Sequence, residues 1–326
     1  MNKSSQKTNK QSKKLLSLKN FKKRKSISSL ETSRRKEALT AYLFLSPALL
    51  GFLTFIVVPV IFVFCISFTE WNMMTGFAGM KFNGFSNYLR AFKDDAFKLA
   101  FKNNIYLSVL SVPLLVAISL MFASIVNKAV YFPNFIRGIF FTPYITTMTA
   151  VAVVFISLFN GNYGPINQML RSFGIENPPG WLTDYRYAII VIAIFWVWRL
   201  VGYFMVIYLG ALKNVPITYY EAAEIDGASS IQKFFHITMP AVSPTTFFLL
   251  ITGTIDSFKI FAQVDVITQG GPGGSTMVVI YYMYKRAFEF FEMGYAGAIT
   301  WLFFIMVFTV TIIQWIGQKK WVKYDI

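Results

Sequence analysis

Six stretches of this chain are almost free of charge, and each is long enough to cross a lipid bilayer. Residues 38–69, 103–127, 138–170 and 293–318 contain no Lys, Arg, Asp or Glu. The run 187–212 contains only Arg199, and 234–255 has no formal charge before Asp256 and Lys259 follow in the same apolar stretch. A helix rises 1.5 Å per residue, so about 20 apolar residues cross the hydrocarbon core. The pattern predicts spans near 41–68, 104–127, 138–160, 187–212, 241–263 and 294–317. Composition agrees: 55% of the 326 residues are hydrophobic and 14% are charged, where a soluble domain has about a quarter charged. These figures exclude a single soluble core and leave little mass for a separate catalytic domain. The expected fold class is an all-α polytopic membrane protein with six transmembrane helices.

The net charge of +16 is concentrated at one end, where residues 1–37 hold 13 Lys and Arg against Glu31 and Glu37. Six spans put both termini on one side. Twenty of the 31 basic residues fall on that side, nine in the opposite loops and two within spans. The positive-inside rule then makes both termini cytoplasmic. The expected organisation is a basic cytoplasmic tail over 1–37, a six-helix membrane domain over 38–318 and a short cytoplasmic C-terminus over 319–326. The tail is expected to touch anionic membrane lipid. No aromatic or zinc pattern accompanies it, so nucleic acid is not an expected partner. Cys65 is the only cysteine and His236 the only histidine; neither an internal disulfide nor a metal site is expected.

Prolines 47, 59, 113, 143, 240 and 244 lie in or beside the spans. In lipid, a helix break requires neighbours that satisfy the freed carbonyls, and such breaks favour transport over a scaffold role. Arg199, Asp256 and Lys259 are costly at membrane depth and are expected to face a bundle interior or a wet cavity. Asp256 and Lys259, three apart on one helix, are placed to pair. Arg199, Leu200 and Tyr203 follow Trp196 by 3, 4 and 7 residues, which is one helical face.

The loop at 217–240 reads Ile-Thr-Tyr-Tyr-Glu-Ala-Ala-Glu-Ile-Asp-Gly-Ala-Ser-Ser-Ile-Gln-Lys-Phe-Phe-His-Ile-Thr-Met-Pro. It predicts a helix, a turn at Gly227 and a second short helix ending before Pro240. Thr218 is placed to cap the first helix, with Glu221 three positions on as in a capping box. Ala222 and Ala223 offer small surfaces for close approach, and Phe234, Phe235 and Ile237 an apolar face. This loop resembles the "EAA" loop of permease subunits in binding-protein-dependent ABC importers. Glu221-Ala222-Ala223, Asp226-Gly227, Ile237 and Pro240 keep that family's spacing, with Met239 in place of Leu. Tyr163-Gly164-Pro165-Ile166-Asn167 and Thr268-Gln269-Gly270-Gly271-Pro272 are similar to the sugar-permease branch, exemplified by the larger permease subunit of the maltose importer.

The resemblance implies a type I ABC importer permease in a bacterial plasma membrane, moving a sugar or oligosaccharide by alternating access. It implies four kinds of partner: a second permease subunit forming a heterodimer, two copies of an ABC ATPase, an extracellular solute-binding protein and the sugar itself. Glu221, Ala222, Ala223, Asp226, Gly227, Phe234 and Pro240 would form the coupling element that docks on the ATPase. By the same resemblance Tyr144, Trp196, Arg199, Leu200, Tyr203, Asp256, Ser257 and Ile260 would fall at sugar-contacting positions. Arg199 replaces an apolar residue there and Ile260 an amide, which points away from a maltose-like ligand and leaves an acidic or larger saccharide open. No catalytic residue is expected. Gly270–Ser275 is glycine-rich but lacks the Walker lysine, so ATP and its magnesium belong with the partner ATPase and this chain carries no cofactor. The competing readings are a permease for another polar solute and a secondary transporter working alone. An inverted repeat would favour the latter, but none is evident. Deleting residues 1–30 is expected to leave uptake nearly intact, because Arg34, Arg35 and Lys36 still hold the first span's N-terminus inside; solute uptake by the truncated, correctly inserted chain checks this.

Overall fold

The structure, a computed structural model, describes residues 37, 40–128 and 133–323, so nearly all of the basic tail and residues 324–326 lie outside the described residues. Helix α1 (Thr40–Ser67) is continuous, with one wide turn at Leu53–Val57. It leads to a hairpin of β1 (Thr69–Glu70) and β2 (Lys81–Phe82), antiparallel, with Thr69 opposite Phe82 and Glu70 opposite Lys81. A short helix α2 (Ser86–Lys93) precedes the long α3 (Asp95–Lys128). Then come α4 (Pro133–Ile145), α5 (Met148–Leu158), α6 (Pro165–Ser172) and α7 (Ala188–Lys213). The pair α8 (Ile217–Ile225) and α9 (Ser230–Ala241) stands ahead of α10 (Ser243–Phe258). Helices α11 (Ala262–Ile267), α12 (Val279–Tyr284) and α13 (Met293–Gly317) follow.

Four helices, α1, α3, α7 and α13, are each long and apolar enough to cross a membrane. The expected count of six is reached only if two bent pairs are crossings: α4 with α5, bent by 94°, and α9 with α10, bent by 67°. The expected span at 138–160 is therefore two helices. Pro143 has no N–H and its ring crowds the preceding turn; the helix ends two residues later, and Thr147 is extended (φ −59, ψ 129). The expected span at 241–263 is also corrected. It ends at Phe258, and the bend at Val242 lies between Pro240 and Pro244.

The chain divides into two compact units after Val63. The first holds most of α1, whose side chains, Phe44 and Phe55 among them, are almost all exposed. The second is built around α7, the most buried of the four single-helix spans. Phe195, Phe204, Met205 and Tyr208 of α7 meet Leu107 and Leu115 of α3 and Leu249 of α10 in one core. A Cβ at Gly202 would overlap the carbonyl oxygen of Phe140, so glycine lets the α4 backbone lie directly on α7. The Tyr208 hydroxyl donates to Thr246 Oγ1 at 3.0 Å and joins α7 to α10.

A second cluster, with Ala91, Phe97, Phe258, Tyr282, Tyr295 and Ile299, surrounds a polar network at one end of the bundle. The hydroxyls of Tyr282 and Tyr295 both donate to Asp94 Oδ2. Arg286 Nε donates to the Tyr282 hydroxyl at 2.8 Å. Glu292 accepts from Arg286 at 3.3 Å and from Arg90 at 2.9 Å. Burial pushes the Asp94 carboxyl up, but the hydrogen bonds from Tyr282, Tyr295 and the amides of Phe97 and Ala96 outweigh it and hold the group below the usual carboxylate range. A depressed carboxylate contributes stability that is complete above its unfolded pKa and lost as pH falls through the folded one. Asp94→Asn is expected to lower stability by ~1.5–3 kcal/mol near neutrality. The gap from the parent should close as pH falls below the ordinary carboxylate range, as measured by thermal denaturation of the solubilised protein.

Candidate functional site

The first candidate site is the hairpin of α8 and α9. Pro216 (φ −59, ψ 130) sets the chain's entry, so the helix begins at Ile217 and Thr218 is its second residue. Thr218 therefore does not cap it, contrary to expectation. The capping box stands on the second helix, where Ser229 Oγ accepts from Gln232 N at 3.3 Å and Gln232 Oε1 accepts from Ser229 N at 2.7 Å. Between the helices, Gly227 has φ +75. The Gly227 amide donates to Glu224 O at 3.1 Å and the Ala228 amide to Ala223 O at 2.8 Å, the paired bonds of a Schellman turn. A residue with a Cβ is strained at this φ.

The second helix does not stop before Pro240. It widens into a π turn over Phe234–Thr238, closed by Met239 N to Phe234 O, and continues to Ala241. The wide turn gives room where the proline ring would press on the carbonyl four residues back. Two contacts lock the hairpin: the Tyr220 and Thr238 hydroxyls at 3.0 Å, and Lys233 with Glu224 at 3.5 Å. Phe234 is half-buried against the main core. Glu221, Ala222, Asp226 and Gly227 are exposed, Ala223 and Pro240 are half-buried, and Ile225 is 88% exposed. A cavity of about 360 Å³ is lined by Ala223, Asp226, Gly227, Lys233, His236 and Ile237. A second, of about 620 Å³ and mostly apolar, lies where Tyr220 and Phe234 face Met121, Ile125 and Leu212.

The second candidate site is the break between α4 and α5. Arg199 Nη1 donates to Thr146 O at 2.9 Å and Pro143 O at 3.4 Å, and Nη2 to Tyr144 O at 3.1 Å. These are carbonyls that the end of α4 leaves without helical partners, and a cation is favoured at a helix C-terminus. Beside them the rings of Tyr144 and Tyr203 stack, 4.6 Å apart at 9°. Tyr144, Arg199 and Tyr203 thus form one group, each partly exposed. The other expected residues lie differently. Trp196, Leu200 and Ile260 are buried in the main core. Ser257 is fully buried and donates to Thr254 O at 2.8 Å. Asp256 is exposed, as is Lys259. Among the described residues Asp256 forms no ion pair, neither with Lys259 nor with Arg199.

Sequence reasoning missed a set of asparagines. Asn103 Nδ2 donates to Gly274 O and Met277 O, each at 2.9 Å. Asn104, fully buried, accepts from Val279 N at 2.7 Å. Together they fasten the 268–279 loop to the top of α3. Asn167, also fully buried, donates to Gly161 O and Pro179 O and accepts from Trp181 Nε1 at 2.6 Å, closing the 161–181 loop. Their signal was available: an amide at the edge of an apolar run must find partners when buried.

Comparison with known proteins gives this geometry a family. Residues 115–320 match the family model of the binding-protein-dependent transport system inner membrane component. The chain is 35% identical over 297 residues to the probable ABC transporter permease protein YesP of Bacillus subtilis, covering 90% of this chain and 94% of that protein. It is 31% identical over 293 residues to the lactose transport system permease protein LacF of Rhizobium radiobacter, covering 88% and 96%. Its fold matches a chain of the bacterial alginate ABC transporter solved with an alginate pentasaccharide-bound periplasmic protein, with a TM-score of 0.74 and 21% identity over 86% of this chain and 93% of that one. The chain belongs to the inner membrane components of binding-protein-dependent transport systems; it is a membrane permease subunit of an ABC importer, not an enzyme.

Proposed function

We propose that this subunit carries a sugar or oligosaccharide into the cell by alternating access, with ATP and magnesium handled by a separate ATPase. The observation that carries this reading is the α8–α9 hairpin. Its Glu221, Ala222, Asp226 and Gly227 are exposed, yet the turn, capping box and Tyr220–Thr238 contact make it internally rigid. A rigid projecting element passes force to a partner where a loose loop would absorb it. In this reading two ATPase copies serve a heterodimer of this chain and a second permease subunit. An extracellular solute-binding protein delivers the ligand. Both termini are cytoplasmic, on the charge distribution, with the tail at 1–37 and the membrane domain at 38–318.

A sugar is supported by the names of the relatives, one a lactose permease, and by residue chemistry. Aromatic faces and polar groups bind sugar rings, and the Tyr144–Tyr203 pair beside Arg199 offers both. Asp256, exposed on α10, is the second polar group of the pathway. Trp196, Leu200, Ser257 and Ile260 are assigned to the wall behind it. Arg199 has a structural task at the α4–α5 break, so its replacement tests folding as well as binding, and Tyr203 is the cleaner probe.

Two experiments test this. Glu221→Lys or Gly227→Trp is expected to leave membrane insertion intact while abolishing substrate-stimulated ATP hydrolysis by the purified complex. The first sets a reversed charge in the docked interface and the second strains the αL turn. Normal stimulation in both variants would exclude the hairpin as the coupling element. Tyr203→Ala and Asp256→Ala should each reduce sugar uptake by about tenfold, the loss of one contact worth ~1.4 kcal/mol, with basal ATP hydrolysis unchanged. Unaltered sugar uptake in both, or uptake of a different polar solute by the parent protein, would overturn the substrate assignment and leave the coupling assignment standing.

A further inference from the structure

Helix α2 has no part in the transport reading, and between exposed Ser86, Arg90 and Lys93 on one side and Tyr88 on the other it carries an exposed apolar stripe. Phe85, just ahead of it, and Leu89 and Phe92 within it are 68%, 62% and 63% exposed. At 100° per residue these three fall within an arc of about 60°. Tyr88 borders the arc on one side and exposed Lys93 on the other. The opposite side, Asn87 and Ala91, is buried. Asn87 Nδ2 donates to Ser67 O at 2.9 Å and Thr69 O at 2.8 Å, and the Tyr88 and Ser67 hydroxyls meet at 2.7 Å. Ser67 is the last residue of α1, and α3 begins at Asp95. The helix is therefore fastened at the level where one span ends and the next begins.

The apolar side also continues into the flank of the spans. Phe85 packs on Phe68 at 5.3 Å, Phe68 on Phe64 at 5.1 Å and Phe64 on Trp301 of α13 at 4.9 Å. Trp301 then meets Phe304 at 5.5 Å, and Phe304 meets Phe308 at 5.9 Å. Phe64, Phe304 and Phe308 are exposed. A row of rings thus runs from well inside α13 to the edge of α2 without leaving the outer surface of the bundle.

We propose that α2 is an interfacial helix. It lies along the headgroup–acyl boundary at its end of the bundle, with Phe85, Leu89 and Phe92 set among lipid chains and Lys93 reaching an anionic headgroup. The occupant is lipid because the patch continues, ring by ring, the exposed apolar flank of a helix long and apolar enough to cross a membrane. A basic residue at the edge of the arc extends its stem along apolar surface and its ammonium toward phosphate. Asp94 follows α2 directly, so this seating also fixes the height of the Asp94–Tyr282–Tyr295 network against the bilayer.

The test uses the chain's single cysteine, Cys65. In a Cys65→Ser background, Phe85→Cys, Leu89→Cys, Phe92→Cys and Ser86→Cys are labelled one at a time with a nitroxide. The full transporter is reconstituted in phosphatidylethanolamine–phosphatidylglycerol vesicles, and spin-label accessibility to oxygen and to a water-soluble nickel chelate is measured. The oxygen-to-nickel ratio is expected to be severalfold higher at 85, 89 and 92 than at the polar-edge position 86, and any two of the three apolar sites decide the matter. Nickel-dominated access at those sites would show a patch facing water. Low access to both reagents would show a protein partner covering it. Either result overturns the proposal and leaves the transport reading untouched.

Discussion

The break between α4 and α5 depends on one guanidinium. An unpaired backbone carbonyl in apolar surroundings costs several kcal/mol, so a chain that turns by 94° within an apolar stretch needs a donor at the turn. Arg199 supplies it to Pro143, Tyr144 and Thr146. The donor is well placed because α7, which carries it, is buried along most of its length and cannot swing away. The approach is close because Gly202, three residues on, has no side chain to hold α4 off. The same contact brings Tyr144 onto Tyr203. Break, cation and ring pair are one arrangement, and an isolated Arg at this depth would otherwise cost about 2.5–3.5 kcal/mol on insertion scales.

The loops at one end of the bundle are held by the same economy of polar groups. Asn103 and Asn104 place amides under the 268–279 loop, Asn167 closes the 161–181 loop, and Asp94 gathers two tyrosines from α12 and α13. These groups are satisfied by backbone, by hydroxyls or, at Asn167, also by the Trp181 indole N–H, and therefore specify one arrangement rather than merely tolerating burial.

The α8–α9 hairpin is short and largely exposed, and its stiffness is built locally. A helix as short as α8 is unstable alone. Its Schellman turn, the capping box on the next helix and the bond between Tyr220 and Thr238 replace the missing length with local hydrogen bonds. The π turn before Pro240 lets the second helix run on to the bend at Val242 and into α10 without a gap. The hairpin thereby runs directly into α10.

Much of this was legible in the residues. Nearly charge-free runs longer than about 20 residues point to crossings, which located α1, α3, α7 and α13. The spacing of Glu221-Ala222-Ala223, Gly227 and Pro240 located a helix–turn–helix hairpin, which the structure forms with its turn at Gly227. Other features were not legible because they depend on partners distant in sequence. Pro143 warned of a break, but not that Arg199, 56 positions on, would cap it. Trp196, Leu200 and Tyr203 share a face by periodicity. Only packing decided that Trp196 and Leu200 face the core while Tyr203 stays partly open. Asp256 and Lys259 stand at pairing distance along a helix, yet each stays exposed and unpaired with the other. The sequence alone determined where the four long apolar helices and the α8–α9 hairpin lie, because hydrophobic length and turn chemistry are local quantities. Which charge faces a carbonyl, which ring faces its neighbour and where a crossing bends were decided by tertiary structure, because burial is set by whichever helix lies opposite.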